Sequence, residues 1–366
     1  MRRLLHLGIA NCNNLETSRI KVLVTGATGM LGSRLVSDLL INGFSVRALC
    51  RNRNRIDQFE KNVGFYPDSA QSFLSQIEWV EADLLDFPSV VRAADGVDYV
   101  FHCAAMVSFD SSEYKLMQDI NITGTANVVD ACLEKHIKRL FHVSSIAALG
   151  KNEHGFAANE ETYWIPDKRH SGYSYSKFYS EMEVWRGINE GLEGVIVNPS
   201  VILGPGDWKS GSPSFFETSY KRLKFYTTGS TGFVDVRDVA AALIALAGDD
   251  KWAKNKNKRY VLNSSNLSYK EFFAMVAESV GVVPPKYLAS KLLLGVGWRL
   301  AWLWGKILGT KALISKETVR NSIQKKMFDG TKITRATGFS YRPIETTIAE
   351  FGQVYLNDIQ RETTLL

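Results

Sequence analysis

Short β-branched runs alternate along this chain with apolar residues at helical spacing, which predicts a parallel sheet flanked by helices on both faces. Ile20-Lys21-Val22-Leu23-Val24 reads as a first, buried strand. Leu31, Leu35, Val36, Leu39 and Leu40 follow with the period of a helix. Further strands are expected at 45–49, 77–80, 98–105, 139–145 and 195–197. A long helix is expected from about 113 to 135 and another around residues 173–177. Pro199, Gly204, Pro205 and Gly206 then break the chain. The expected fold class is α/β, a doubly wound parallel sheet with a smaller mixed C-terminal lobe.

Between the first strand and its helix lies Thr25-Gly26-Ala27-Thr28-Gly29-Met30-Leu31-Gly32. Strand, glycine turn and helix make a dinucleotide site of Rossmann type. Gly26 permits the tight turn, Gly29 lets the backbone approach a pyrophosphate, and Gly32 lets the helix close on the strand. Gly26, Thr28, Gly29, Met30 and Leu31 are the candidate residues around the phosphates. The spacing is G-x-x-G-x-x-G rather than the commonest fingerprint, so its weight comes from its position between strand and helix. After the second strand, where an acid would hold the ribose hydroxyls of NAD, stands Cys50-Arg51-Asn52-Arg53. Arg51 offers a planar fork suited to a 2′-phosphate, which favours NADP, with NAD the other candidate. The plain alternative is that Arg51, Arg53 and Arg55 form a solvated face.

About 145 residues beyond the loop stands Gly172-Tyr173-Ser174-Tyr175-Ser176-Lys177, with Ser144-Ser145 between them. Four residues separate Tyr173 from Lys177, so a helix stacks them on one face. An ammonium beside a phenol is expected to pull its pKa down from ~10 toward neutrality, making Tyr173 a usable acid or base. Tyr175 lacks that spacing and reads as packing or a substrate contact. Ligands in such sheets bind at the carboxyl ends of the strands, where the glycine turn, Asp83, Ala104, Ala105, Ser145 and Pro199 all fall.

These segments resemble the extended short-chain dehydrogenase/reductases, over roughly residues 20 to 350. The matching pieces are TGATGMLG, Asp83-Leu84, DYVFHCAA, NITGT, VSSIAALG, YSYSK, NPSVILGPGD and FVDVRDVA. The resemblance implies Tyr173 as catalytic acid/base, Lys177 as its partner on the nicotinamide ribose, and Ser145, rather than Ser144, as holder of the substrate oxygen. It implies Asp83 and Leu84 beside the adenine, and Pro199 and Val201 beside the nicotinamide. The nucleotide-binding domain is expected over 20–200 plus about 233–262, and the substrate lobe over 203–232 and 263–366. NPSVILGP looks more like dihydroflavonol and cinnamoyl reductases and 3β-hydroxysteroid dehydrogenases than like sugar-nucleotide epimerases. The expected activity is therefore hydride transfer to an apolar aldehyde or ketone. The second reading is a nucleotide-sugar epimerase/dehydratase, with Lys209, Lys221, Arg222 and Lys224 as a potential pyrophosphate grip. A cofactor-binding sensor without chemistry is the third.

The Trp-rich stretch 292–309 reads first as a core-facing helix. Pocket lining, a dimer contact and a membrane interface are its alternatives. Arg299 and Lys306 interrupt it, so an integral span is not expected. The 366 residues carry 44 Lys and Arg against 38 Asp and Glu, and the cluster Lys251–Arg259 supplies much of the excess. It reads as a solvated loop, not a nucleic-acid patch. Cys12, Cys50, Cys103 and Cys132 have no metal or redox spacing, which makes reduced cytoplasmic thiols the default. No metal site is expected among the six histidines, and His102 and His142 read as packed beside the cofactor. Residues 1–19 read as an extension rather than a signal peptide. A homodimer through the helices around Asn121 and Tyr173 is the expected assembly.

Overall fold

The computed structural model describes residues 19–67, 71–150, 156–167, 170–290, 292–296, 298–299 and 316–364. The extension 1–18, including Cys12, and most of the Trp-rich stretch lie outside them.

The strands Lys21–Thr25 (β1), Ser45–Cys50 (β2), Glu78–Glu81 (β3), Tyr99–His102 (β4), Arg139–Val143 (β5) and Gly194–Pro199 (β6) alternate with helices. These are Met30–Ile41 (α1), Ile56–Gly64 (α2), Phe87–Ala94 (α3), Tyr114–Gln118 (α4), Gly124–Glu134 (α5) and Gly172–Asn189 (α6). Val201–Leu203 (β7), Ser214–Tyr220 (α7), Phe225–Tyr226 (β8) and Ser230–Asp235 (β9) follow. Next come Val236–Ala247 (α8), Asp249–Asn255 (α9), Lys258–Leu262 (β10), Ser265–Ser268 (β11), Tyr269–Ser279 (α10) and Tyr287–Leu288 (β12). Lys316–Ile323 (α11), Thr331–Thr337 (α12) and Ile344–Thr364 (α13) complete the described chain.

Seven strands form one parallel sheet in the order β10-β6-β5-β4-β1-β2-β3. The order reverses between β1 and β4, and that switch point opens the crevice used by ligands in such sheets. Alternation along β1 explains the layers. Val22 and Val24 face α1 and α8, packing with Leu35, Leu39 and Leu243. Leu23 faces the other side with Val100, Leu140 and Ile196, against α3, α5 and α6. The smaller lobe holds a mixed sheet, β11-β9-β7, and a parallel pair, β8 with β12.

The motif FVDVRDVA is a joint. Asp235 is fully buried, caps α8 by accepting from the Arg237 amide at 2.7 Å, and accepts from Thr347 Oγ1 at 2.7 Å. Asp238 accepts from the Arg342 amide at 2.8 Å. These bonds anchor the start of α13 to the first turn of α8.

Two expectations change. The Lys251–Arg259 cluster is not a solvated loop but spans α9 and the start of β10. Trp252 is buried, Lys251 Nζ donates to the Thr337 carbonyl at 2.8 Å, Lys256 pairs with Glu193, and Arg259 turns inward. A parallel edge strand needs apolar residues beneath it, and Trp252 and Tyr260 supply them. The Trp-rich stretch, in its described part, does not face the core: Leu292 is 78% exposed, Leu293 44% and Val296 47%. Among the described residues no helix is long and apolar enough to cross a membrane.

Gly26 adopts φ +68°, and a Cβ there would lie 2.7 Å from the Ala104 nitrogen. A Cβ on Gly32 would lie 2.1 Å from the Gly26 carbonyl oxygen. Gly32→Ala therefore forces α1 off the turn. Its expected cost is about 3 kcal/mol in urea unfolding, the upper end for overfilling a packed space. Wild-type stability in the variant would mean that helix and turn separate freely.

Candidate functional site

The candidate residues gather along the carboxyl edge of the sheet. α6 begins with Ser171 as its cap, whose Oγ accepts from the Ser174 amide at 3.0 Å. Helical spacing then stacks Tyr173, Lys177 and Glu181 on successive turns facing β5 and β6. At the end of β5 the two serines diverge, as neighbours in extended chain must. Ser144 is buried, and its Oγ donates to Glu181 Oε2 at 2.7 Å. The Ser145 side chain instead turns to the Tyr173 side, where it acts on the phenol, and its Oγ accepts from the Ala147 amide at 3.1 Å. Phe109 stands edge-on to the Tyr173 ring, with centroids 6.0 Å apart.

Lys177 is almost fully buried and its Nζ donates to the Val143 carbonyl at 3.0 Å. Burial pulls its pKa down to about 8, while Glu181 and Cys103 oppose that shift. The expected lowering of the phenol is not found. Burial raises the Tyr173 pKa, and the Ser145 hydrogen bond pulls the other way. The physical reason is that desolvation penalises phenolate and ammonium together, so the pair drifts toward its neutral forms.

The glycine turn closes at Gly29 N, which donates to the Gly26 carbonyl at 3.0 Å. No side chain caps α1 at Gly29, which leaves its first-turn amides without a side-chain acceptor, and Gly26 lies directly against the Ala104 backbone, with Ala105 exposed next along the chain. Thr28, Met30 and Leu31 lie on this turn and first helical residues. A cradle that a Cβ would fill, beside an uncapped helix start, fits a dinucleotide phosphate. Arg51 is exposed just beyond β2. Asp83 is exposed beyond β3 with Oδ1 accepting from the Leu85 amide at 2.9 Å, while Leu84 is buried beneath Gly124 and its carbonyl accepts from Asn127. Pro199 ends β6, buried, and Val201 is half-buried at the start of β7. Tyr175 is 40% exposed and its ring leans on that of Tyr179, tilted by 41°, away from this row.

Sequence reasoning missed two residues. Asn121 sits in a π-helical turn, Asp119–Thr123. Its Nδ2 donates to the Met106 carbonyl and Ser176 Oγ, both at 2.9 Å, and its Oδ1 accepts from the Met106 amide at 2.7 Å. It ties the loop after β4 to α6. The second is Glu181, visible only as a third step in the Tyr173–Lys177 spacing. His102 and His142 lie behind the site, their rings 5.2 Å apart. His102 bridges Thr25 and Thr125 at 2.7 and 3.0 Å. Among the described residues no His, Cys, Asp and Glu cluster is arranged to hold a metal ion.

The NAD-dependent epimerase/dehydratase family matches residues 22–262. A putative dihydroflavonol 4-reductase of Synechocystis sp. is 30% identical over 89% of this chain and 92% of that protein. A 3beta-hydroxysteroid-dehydrogenase/decarboxylase of Arabidopsis thaliana is 29% identical over 89% of this chain and 76% of its own length. Among solved structures, gox2253 superposes with a TM-score of 0.74 at 26% identity, covering 93% of this chain and 99% of that one. The UDP-glucose 4-epimerase of Thermotoga maritima superposes at 0.70 with 18% identity, covering 93% and 99%, a likeness of fold.

The buried amine makes stability depend on pH. Its ordinary value is 10.5 and its folded value about 8. Between those values the unfolded chain binds the extra proton, so stability rises with pH; it falls again as pH drops through about 8. Relative to Lys177→Met, wild type should gain about 3 kcal/mol in urea unfolding across that window. A pH-independent difference would show that the folded amine keeps its ordinary proton affinity.

Proposed function

The chain belongs to the NAD-dependent epimerase/dehydratase family, and from that we propose that it is an NADP(H)-dependent reductase of an apolar aldehyde or ketone. The observation that carries the reading is Ser145 at the end of β5 and Tyr173 at the start of α6, close enough for the serine to act on the phenol, with the Lys177 amine buried one turn away and held by the Val143 carbonyl. Reductases and a hydroxysteroid dehydrogenase among its relatives support the same chemistry. Gly26, Thr28, Gly29, Met30 and Leu31 would hold the dinucleotide phosphates, Asp83 and Leu84 would border the adenine, and Arg51 would meet a 2′-phosphate. Ala104 and Ala105 leave room beside the turn, and Pro199 and Val201 would border the nicotinamide. When bound, the cofactor supplies the hydride.

The chain's own residues do the rest. Ser145 and Tyr173 hold the carbonyl oxygen by two hydrogen bonds that strengthen as negative charge develops there. Tyr173 then gives up its phenolic proton to that oxygen. The raised pKa of the phenol suits this direction, because it stays protonated at neutral pH. Lys177, held by the Val143 carbonyl, stabilises the phenolate left behind in its protonated form. Phe109 covers the ring and helps exclude water. Asn121 and Glu181 position the elements that carry these groups.

A nucleotide-sugar epimerase is the second reading, suggested by the fold neighbours. It would need a pyrophosphate grip, and of the candidate cations Lys221 is already engaged by Glu217 at 2.7 Å.

Tyr173→Phe should lower kcat for NADPH-linked carbonyl reduction by about 10²–10⁴-fold while leaving NADPH affinity nearly unchanged. Consumption of NADPH at the wild-type rate would remove Tyr173 from the chemistry. Turnover of a nucleotide sugar, with none across a panel of aldehydes, phenylpropanoids and ketosteroids, would select the second reading. Arg51→Glu should weaken NADPH binding by about 10–100-fold and leave NADH almost unaffected, measured by fluorescence titration. Equal losses for both cofactors would leave Arg51 a solvated surface residue.

A further inference from the structure

From Gly281 to Lys316 the sequence contains six cations and no Asp or Glu. That number equals the formal net charge of the whole chain, so the rest is balanced at 38 cations and 38 anions. Trp298, Trp302 and Trp304 fall in the same stretch.

The structure sets the described part of this stretch on the surface of the smaller lobe. β12 pairs with β8 alone, and the Phe225 and Tyr287 rings meet at 5.9 Å. Tyr287 is 62% exposed, Leu288 51% and Val283 63%. The chain continues from Ser290, whose Oγ accepts from the Leu293 amide at 3.1 Å, into the exposed Leu292 and Val296. Arg222, Lys224, Lys286 and Arg299 are exposed along the same segments, and none is paired with a carboxylate among the described residues. Arg299 lies over the Trp298 ring at 4.7 Å.

An apolar ridge carrying unpaired cations, with aromatic residues along it, has the chemistry of a segment that rests in a lipid headgroup layer. Its apolar side chains enter the acyl boundary, its Tyr and Trp rings sit at headgroup depth, and its cations meet lipid phosphates. A second copy is a poor occupant, because a twofold contact through this face would set like charges against one another. We propose that the β8–β12 face and the segment leading from it to Arg299 form a docking surface for an anionic lipid bilayer, on which the enzyme lies without spanning it. The proposal is independent of the catalytic reading.

Co-sedimentation of the full chain with phosphatidylcholine vesicles, with and without phosphatidylglycerol, tests it. The expected result is pelleting with the anionic vesicles, at least about tenfold tighter than with phosphatidylcholine alone and weakened by salt. Lys224→Ala and Lys286→Ala should each weaken binding about fivefold. Leu288→Asp and Leu292→Asp should abolish it while keeping the wild-type unfolding midpoint, since both side chains are exposed. Failure to pellet with either lipid overturns the proposal, and a dimer seen by light scattering would then assign this face to a second copy. Pelleting that all four variants retain also overturns it, because another surface must then bind.

Discussion

A carboxylate with no access to water organises the site. Glu181, fully buried on α6, accepts from Ser144 at 2.7 Å, Asn198 at 2.7 Å, Arg259 at 3.1 Å and Trp185 at 3.4 Å. Burying an unpaired carboxylate costs several kcal/mol, so the fold tolerates it only because charged and neutral donors surround it. Trp185 lies on α6 itself, and the other three donors come from the end of β5, the end of β6 and the start of β10, three neighbouring strands. Asn198 uses the same Nδ2 to hold the Ser145 carbonyl at 3.0 Å. The position of Ser145 relative to Tyr173 thus follows from how Glu181 is satisfied. Arg259 extends the network outward, donating to the Glu160 carbonyl, while Glu160 Oε1 accepts from the Val261 amide at 2.8 Å.

The same carboxylate governs the charge of Lys177. Desolvation alone would drive that amine neutral, and a neutral amine stabilises a phenolate poorly. Glu181, one turn further along the helix, opposes the shift and leaves the pKa at about 8, where the protonated form still dominates at neutral pH. Behind the amine, burial first and Lys177 second lower the pKa of His102 to about 3, and His142 is lowered by the same causes with His102 adding to them. Both imidazoles are therefore neutral and add no competing charge beneath the lysine. The amine of Lys177 is thus held by the Val143 carbonyl and kept protonated by the Glu181 carboxylate, whose own charge is met by Arg259.

What was legible in the sequence was local. Short β-branched and apolar runs, set between stretches of helical spacing, marked every strand of the large sheet as far as β6, because most of these strands are buried on both faces. The Tyr173–Lys177 spacing and the glycine turn were legible for the same reason: a helix or a turn places near neighbours without help from the rest of the chain. What escaped depends on distant partners. Glu181 resembles any polar helical residue until Ser144, Asn198 and Arg259 arrive from 37, 17 and 78 residues away. The π turn at Asn121 is one extra residue in a helix whose apolar pattern is otherwise regular. The sign of the Tyr173 shift also escaped, because spacing reveals a neighbouring charge but not the desolvation that outweighs it. The Lys251–Arg259 stretch looked solvated because its composition is basic, although its partners, Glu193, Glu181 and the Thr337 carbonyl, are spread across the fold.

Charge also separates the two lobes by role. Around the nucleotide-binding sheet several cations are matched: Arg47 with Glu78 at 2.8 Å, Arg139 with Asp249 at 2.5 Å, Arg186 with Asp130 at 2.7 Å. Matching serves a scaffold that must hold one geometry. In the smaller lobe the sequence after α10 abandons the balance, and among the described residues Lys286 and Arg299 are paired with no carboxylate. Unmatched cations beside exposed Leu and Tyr side chains lower stability slightly through mutual repulsion and aggregation risk. The proposed lipid surface would cover those side chains with an external anionic, apolar phase. An apolar carbonyl partitions into that same phase, so the proposed reductase would meet there a local substrate concentration far above that in water. On that proposal the two lobes divide the work, one supplying a fixed dry geometry and the other bringing it to the substrate.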